Sequence, residues 1–203
     1  MLSDKGLDLI LEFEVGGADG VYYNRFLKKP TVPAWQTTNS GVTIGVGTDM
    51  GYQKKENVDE EWSEYLSPED IKKLYKVIGL KGRNAHANLD KVEGVEVSWE
   101  DARDQFNKYT VPRYTRMAKS TFPNFDDAPI SVQEGLISLV FNRGNSLKGD
   151  SRSEIREIVN LMSKKEWNGI PEQIRSMKRL WPKVKGLIRR REAEAKFIEK
   201  RLF

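Results

Sequence analysis

The sequence predicts an α+β protein that is mostly helical, with one short sheet near the N-terminus. Three observations favour this class: helix-start signals recur along the chain, apolar residues repeat at helical spacing, and only one stretch alternates like a strand. The 203 residues are enough for one domain with a sizeable core. We expect a helical bundle joined to a small sheet-bearing lobe.

The N-terminal part should contain one helix and the sheet. Residues 4–14 predict a helix with Ser3 as N-cap and Gly16-Gly17 as its end. Residues 18–39 are typical of a loop. Residues 42–46 alternate apolar residues with threonine and glycine, which predicts a strand that pairs with part of that loop.

The rest of the chain predicts helices. One helix begins at Ser67-Pro68-Glu69-Asp70, and another begins at Ser98 and ends near Pro112. A third begins at the capping box Ser131-Val132-Gln133-Glu134 and ends at Gly144. Two more helices lie around 151–163 and 186–202. One domain over residues 1–203 is expected. Its sheet-bearing lobe would span about 15–65, and its helical lobe about 66–203 plus the N-terminal helix.

Composition excludes several kinds of site. The chain has no cysteine, which excludes disulfides, thiolate metal sites and cysteine nucleophiles. A single histidine, His86, argues against a Ser-His-Asp triad or a histidine-rich metal site. No apolar run approaches the ~20 residues that span a bilayer, and the N-terminus lacks a signal-peptide pattern. We expect a soluble protein that is made in the cytoplasm and does not insert into membranes.

Positive charge is concentrated in the last quarter of the chain. Residues 151–203 hold 15 Lys/Arg and 7 Asp/Glu. Such an excess indicates attraction to a polyanion, which could be nucleic acid, a membrane surface or the bacterial cell wall. The alternative is a solvated helix face without a partner.

Glu14 lies where the first helix should carry an apolar residue. Leu7, Ile10 and Leu11 form an apolar stripe, and Glu14 is its next position, in the last helical turn. Burial and the negative end of the helix dipole both disfavour an ionised carboxylate. Glu14 is therefore a candidate general acid, and the alternative is a helix-end glutamate that turns to solvent.

Thr43 and Asp49 could form the second half of a site. By strand periodicity both face one side, but in a straight strand they would lie ~20 Å apart. If Gly45 and Gly47 let the chain bend back, the hydroxyl and the carboxylate could converge on one water. Alternatively the glycines form a bulge and Asp49 caps a turn.

These stretches together resemble the phage-type lysozymes, glycoside hydrolases that cut peptidoglycan. In that family a helix ends in Glu followed by Gly, and a strand reads Thr-Ile-Gly-x-Gly. The matching pieces are Phe13-Glu14-Val15-Gly16-Gly17, Gly41-Val42-Thr43-Ile44-Gly45-Val46-Gly47, Leu139-Val140-Phe141-Asn142-Arg143-Gly144 and Gly186-Leu187-Ile188-Arg189-Arg190-Arg191-Glu192-Ala193-Glu194. They occur in the family's order and span nearly the whole chain.

The second carboxylate departs from the usual family pattern. Most members place an Asp nine residues after the Glu, where this chain has Tyr23. Asp49 instead lies six residues after Thr43, as in the pesticin-like subgroup, which Asn39-Ser40-Gly41-Val42-Thr43-Ile44-Gly45 resembles closely. The resemblance assigns Glu14, Thr43 and Asp49 to catalysis, with Asp19 as the fallback carboxylate.

The resemblance implies a lysozyme-like fold, with the active-site cleft between its lobes, and hydrolysis of the β-1,4 bond between N-acetylmuramic acid and N-acetylglucosamine. Glu14 would protonate the glycosidic oxygen, while Asp49 and Thr43 would activate a water, which implies inversion. No metal or organic cofactor would be needed.

The resemblance also suggests substrate-binding and supporting residues. Phe141, Asn142 and Trp35 would line the sugar groove, although Phe141 could equally be core. Arg191 falls on the apolar stripe of the last helix and should be a buried cation, with Glu14 as its partner by resemblance.

Two other functions remain open from the sequence. A lytic transglycosylase needs the glutamate but no water-holding Asp, and a non-catalytic wall- or nucleic-acid-binding module would use the basic C-terminal part. The preferred interpretation is a monomeric muramidase that acts on peptidoglycan in the periplasm and does not bind nucleic acid. It could be a phage endolysin released through a holin or a delivered antibacterial toxin, and an immunity or inhibitor protein is left open as a partner.

Overall fold

A computed structural model describes residues 2–34 and 36–202. The described part is mostly helical, with a two-stranded antiparallel sheet. The chain divides into two compact units, a helical unit of Met1–Phe13 with Thr110–Phe203 and a sheet-bearing unit of Glu14–Tyr109. The sheet-bearing unit thus runs to residue 109, beyond the 65 expected from the sequence, and all but the last residue of helix α1 (Asp4–Glu14) belong to the helical unit.

The sheet-bearing unit contains the sheet and several short helices. They are α2 (Val21–Phe26), β1 (Thr43–Ile44), β2 (Thr48–Asp49), α3 (Lys55–Trp62), α4 (Pro68–Tyr75), α5 (Gly82–Ala87) and α6 (Trp99–Gln105). The predicted caps are confirmed, because Ser67 accepts a hydrogen bond from the N–H of Asp70 at 3.1 Å and Ser98 from that of Asp101 at 3.0 Å.

The predicted loop over 18–39 is wrong, since α2 lies within it. Gly20 precedes this helix with φ 72°, and a Cβ there would lie 2.5 Å from the indole of Trp99. Tyr23 of α2 is fully buried, 5.3 Å from the Trp99 ring. The helix therefore forms because Tyr23 packs on Trp99, a long-range contact that local sequence patterns do not reveal.

The predicted strand over 42–46 is shorter than expected and ends at Ile44. Gly45 and Gly47 adopt φ values of 57° and 78° and turn the chain into β2. The predicted pairing with the preceding loop is confirmed, because Thr31 and Thr43 exchange backbone hydrogen bonds of 3.0 and 2.7 Å.

The helical unit is organised around α8. Besides α1 it contains α7 (Val111–Thr121), α8 (Ile130–Arg143), α9 (Ser153–Lys164), α10 (Ile170–Ser176) and α11 (Lys185–Glu199). Helix α8 contacts α7 and α11, and α10 contacts α9 and α11. Residues of α8 are buried on nearly every side from Ser131 to Val140, as a central helix requires. The last two predicted helices are confirmed, with slightly shifted ends.

Two predicted helix boundaries in this unit are wrong. Pro112 lies in the first turn of α7 rather than at the C-terminal end of a helix, and α7 follows directly on the π-helical segment Phe106–Thr110. Ser131 is fully buried inside α8, so it cannot form the predicted capping box. Glu134 instead accepts hydrogen bonds from the backbone N–H and the hydroxyl of Ser3. Ser3 caps α1 as predicted, by accepting from Gly6 N–H at 3.1 Å.

Candidate active site

Thr43 and Asp49 lie directly opposite each other in the two-stranded sheet. The backbone N–H of Met50 donates to the carbonyl of Val42 at 2.8 Å, one residue beyond this pair, so the pair itself is of the non-hydrogen-bonded kind. Side chains of such pairs leave the same face with Cβ atoms ~4.5–5.5 Å apart. The glycine turn thus brings together two side chains that a straight strand would hold ~20 Å apart.

Backbone amides fix the carboxylate of Asp49. Oδ1 accepts from the N–H groups of Gly41 at 2.9 Å and Gly51 at 2.8 Å, and Oδ2 accepts from Gly41 at 3.1 Å. A Cβ on Gly41 would lie 2.4 Å from Oδ1, so only glycine fits there. The bond from Gly51 also caps the turn Met50–Tyr52, as the alternative interpretation of Asp49 expected. A carboxylate has about four lone-pair sites, so Asp49 keeps acceptor capacity for a water.

The hydroxyl of Thr43 is half-buried beside this network. It donates to the carbonyl of Gly41 at 3.3 Å, while the N–H of Gly41 donates to Asp49. One peptide segment therefore contacts both side chains. Thr43 and Asp49 are positioned by the same short piece of backbone, and this geometry could orient one water between a hydroxyl and a carboxylate.

Glu14 is the last residue of α1, and its side chain is half-buried. The preceding stripe of Leu7, Ile10 and Leu11 is 4%, 1% and 0% exposed. Gly16 follows with φ 76°, which ends the helix as predicted. Glu14 thus lies at the edge of an apolar surface, at the negative end of the helix dipole.

The three proposed catalytic residues Glu14, Thr43 and Asp49 all belong to the sheet-bearing unit. The fallback carboxylate, Asp19, is exposed in the same unit. Its Oδ1 accepts from the N–H of Val21 at 3.1 Å and orders the start of α2. Asp19 therefore has a local structural role at the start of α2.

The predicted sugar-binding residues Phe141 and Asn142 lie at the C-terminal end of α8, in the helical unit. Phe141 is half-buried, and its ring meets that of Tyr114 at 4.7 Å and 66°, an edge-on contact. Asn142 accepts through Oδ1 from Arg191 at 3.0 Å. Trp35, the third predicted residue, lies outside the described residues.

Arg191 is fully buried, as the stripe of the last helix predicted. Glu194 pairs with it, with Nε and Oε2 3.1 Å apart. The pairing with Glu14 that the resemblance assigned stays a prediction. Glu194 also accepts from Ser138 Oγ at 2.7 Å and from Arg190 Nε at 3.2 Å. Burial lowers the pKa of Arg191, and the charge of Arg190 lowers it further, while Glu194 opposes both.

Sequence reasoning missed the groups that hold the site residues in place. The N–H donors of Gly41 and Gly51 carry no side-chain signal. The sequence does show that one glycine lies eight residues before Asp49 and that a second lies two residues after it. Glu194 lies three residues after Arg191 on the same helix face, a spacing that favours an ion pair. That spacing could have identified Glu194 from the sequence.

Within residues 2–34 and 36–202, no helix is long and apolar enough to cross a bilayer. In the same residues, no group of three or more His, Asp or Glu side chains is placed to hold a metal ion.

Comparison with known proteins identifies the family of the chain. No curated protein is significantly similar to the chain. A family model described as "Domain of unknown function (DUF8812)" matches residues 10–184. That range includes Glu14, Thr43 and Asp49 and ends before Arg191. Because the match covers more than half of the chain, the protein belongs to the DUF8812 domain family.

Proposed function

We propose that the protein is a muramidase with a lysozyme-like fold, which hydrolyses the β-1,4 bond between N-acetylmuramic acid and N-acetylglucosamine in bacterial peptidoglycan. The observation that carries the proposal is the cross-strand pair of Thr43 and Asp49, whose carboxylate is held by two backbone amides. Glu14, at the end of α1 in the same unit, supplies the second carboxyl group. The resemblance of the sequence to phage-type lysozymes adds the substrate class.

In this proposal Asp49 is the general base. The amides of Gly41 and Gly51 fix its orientation, so little side-chain freedom is lost when a water binds. Oδ2 accepts one hydrogen bond at 3.1 Å and can accept another from the attacking water. The hydroxyl of Thr43, on the same sheet face, forms a second hydrogen bond with this water.

Glu14 is the general acid. It is half-buried at the C-terminal end of α1, where it continues the buried stripe of Leu7, Ile10 and Leu11. It protonates the glycosidic oxygen while the Asp49-bound water attacks the anomeric carbon from the opposite face. One carboxyl group on each side of the bond, with a water beside one of them, gives inversion of configuration. The resemblance to phage-type lysozymes also assigns Phe141 and Asn142 to substrate binding.

The decisive experiment compares Glu14→Gln with Glu12→Gln. Both glutamates lie on α1, but Glu12 is exposed and outside the proposed site. Reducing-sugar release from purified peptidoglycan should fall by at least ~10²–10⁴-fold in Glu14→Gln, the usual contribution of a general acid. It should stay near wild type in Glu12→Gln. Equal activities in the two variants, with the fold confirmed by circular dichroism, would remove Glu14 from the mechanism.

Product analysis separates this activity from its nearest rival. A hydrolase leaves a reducing end on each fragment, and an inverting one first releases the α-anomer. A lytic transglycosylase leaves an anhydro end and needs no water-holding Asp49. Mass spectrometry and proton NMR of the first products would show which of the two reactions occurs.

A further inference from the structure

A cavity of about 430 Å³ opens in the sheet-bearing unit beside the segment that holds Asp49. Apart from Gly82, every residue that lines it has a polar or charged side chain. The side chains that matter here are Thr37, Thr38, Asn39, Lys81, Arg83 and Asn84. This combination of hydroxyls, amides and two cations suits a polar, negatively charged ligand rather than an apolar one.

One backbone hydrogen bond links the cavity lining to the segment that positions the proposed base. The N–H of Gly82, which lines the cavity, donates to the carbonyl of Ser40 at 2.8 Å. The next residue, Gly41, donates its N–H to both oxygens of Asp49. Only one peptide unit therefore separates the cavity lining from the amide that orients Asp49.

The two cations of the cavity lack carboxylate partners among the described residues. Lys81 is half-buried and Arg83 exposed, and neither forms an ion pair in that part of the chain. The unit as a whole is acidic, because residues 14–109 hold 13 Lys/Arg against 16 Asp/Glu. Two unpaired cations two residues apart therefore form a local positive site in an acidic surrounding.

An exposed aromatic ring contacts Lys81, one of the residues that line the cavity. Tyr52 follows Asp49 by three residues and is 62% exposed. The Nζ of Lys81 lies 3.5 Å from the centre of its ring, which fixes the ammonium in place.

We infer that this cavity binds a carboxylate carried by the muramyl residue of the substrate, through Lys81 and Arg83. The inference rests on the proposed muramidase function and assigns a recognition role to residues outside the catalytic group. The muramyl residue bears its acid on the lactyl ether or on the attached peptide, whereas the neighbouring N-acetylglucosamine is neutral. A cationic pocket beside the base would therefore set which sugar lies on which side of the cleaved bond.

Binding to the full-length Glu14→Gln protein tests this inference without turnover. Calorimetry would compare N-acetylmuramic acid, N-acetylmuramyl-L-alanyl-D-isoglutamine and the same muramyl peptide with its carboxylate amidated. We expect both acids to bind and the amide to bind about tenfold more weakly, the factor that ~1.4 kcal/mol represents. Lys81→Gln and Arg83→Gln should each reduce binding of the acids to the level of the amide, while Lys76→Gln, an exposed lysine of the same unit, should not.

The outcomes separate this inference from the proposed function. Equal binding of acid and amide, or unchanged binding in both cation variants, would overturn the inference even if the wild type releases reducing sugar. Selective binding that is lost in the cation variants would support it even if Glu14→Gln leaves hydrolysis unaffected. In active protein the same substitutions should raise KM for peptidoglycan and leave kcat within about twofold, since neither residue touches the reacting atoms.

Discussion

Thr43 and Asp49 face each other across a sheet whose strands are only two residues long. The backbone of Gly41 joins them, since its carbonyl accepts from the threonine hydroxyl and its N–H donates to the aspartate. A sheet this small contributes little stability by itself. Its effect is to fix the separation of a hydroxyl and a carboxylate, which makes this pair the best place to test the proposed chemistry.

Asp49→Asn should abolish hydrolysis while the protein stays folded. The asparagine oxygen can still accept from Gly51 N–H, so the turn remains capped, but a neutral amide cannot take a proton from water. We expect a loss of at least ~10²-fold in kcat. Asp19→Asn is the control, because Asp19 is the other carboxylate considered for this role and is exposed. If Asp19→Asn inactivates the enzyme and Asp49→Asn does not, the assignment of the base is wrong.

Thr43→Val should lower kcat by about tenfold, a factor equal to the ~1.4 kcal/mol of one hydrogen bond. Valine matches threonine in shape and favours strands, so the sheet should form normally. Thr43→Ser keeps the hydroxyl and should retain most of the activity. Steady-state hydrolysis of soluble peptidoglycan fragments measures both. Similar losses in the two variants would indicate that the methyl group, rather than the hydroxyl, matters.

The sequence revealed those parts of the fold that depend on local signals. The caps Ser3, Ser67 and Ser98 were predicted correctly because each accepts a hydrogen bond from an N–H three residues later. Ser131 carries the same local signal but is buried within α8. Its predicted partner Glu134 binds Ser3, 131 residues away in sequence. The contact between Glu134 and Ser3 joins distant parts of the chain, so a short window of sequence around Ser131 does not reveal it.

In the candidate site, too, the features that depend on local sequence were predictable and those that depend on long-range contacts were not. The convergence of Thr43 and Asp49 followed from two glycines and a count of residues, because the bend requires backbone conformations that glycine adopts easily. Glu194, one turn away on the same helix, pairs with Arg191, and the pairing with Glu14 that the resemblance assigned stays a prediction. The cavity at Lys81 and Arg83 depends on the fold bringing residues 36–39 next to 81–84, which are far apart in sequence.

Gly45→Ala should destabilise the protein more than Gly47→Ala. Both glycines have positive φ, so each substitution costs ~1–2 kcal/mol of backbone strain. A Cβ on Gly45 would also lie 2.5 Å from Cη2 of the fully buried Trp62, whereas a Cβ on Gly47 meets no atom within 4 Å. Overpacking of this kind costs a further ~1–3 kcal/mol. Urea denaturation would measure the difference, and equal losses would show that Trp62 moves away without cost.

The ion pair between Glu154 and Arg179 should make stability depend on pH. Burial alone would raise the pKa of Glu154, but hydrogen bonds from Arg179, its own backbone and Ser153 outweigh burial and lower it. A carboxyl group with a lowered pKa in the folded state stabilises above its unfolded pKa. That contribution is lost as the pH falls through the folded pKa.

Glu154→Gln should therefore reduce the free energy of unfolding by ~1–3 kcal/mol at pH 7 and by progressively less as the pH is lowered below about 4. Glu157→Gln is the matched control, because Glu157 is exposed on the same helix and bonds only to Asn160. Thermal or urea unfolding at several pH values would measure both variants. If the loss of unfolding free energy in Glu154→Gln does not depend on pH, the shape of the side chain rather than its charge explains the loss.

The basic C-terminal residues of the helical unit fall into two groups. Many of them form ion pairs within the fold, such as Arg175 with Glu192 and Glu199, and Arg179 with Glu154. Others are exposed and have no carboxylate partner among the described residues; these include Lys183, Lys185 and Lys200. Only this second group is available to attract an anionic surface.

Reversing the charge of Lys183, Lys185 and Lys200 to glutamate should therefore slow lysis of intact cell walls and flatten its dependence on salt. Adhesion by exposed charges is screened over ~8–10 Å at moderate ionic strength, so the wild type should lose activity as NaCl is added and the variant should lose less. Hydrolysis of short soluble fragments should not change, because adhesion is not needed there. Charge reversal at Lys54, Lys72 and Lys76, which are exposed in the sheet-bearing unit, is the control for net charge. If both triple variants slow lysis equally, the effect belongs to total charge, and the basic C-terminal surface has no special role in binding the wall.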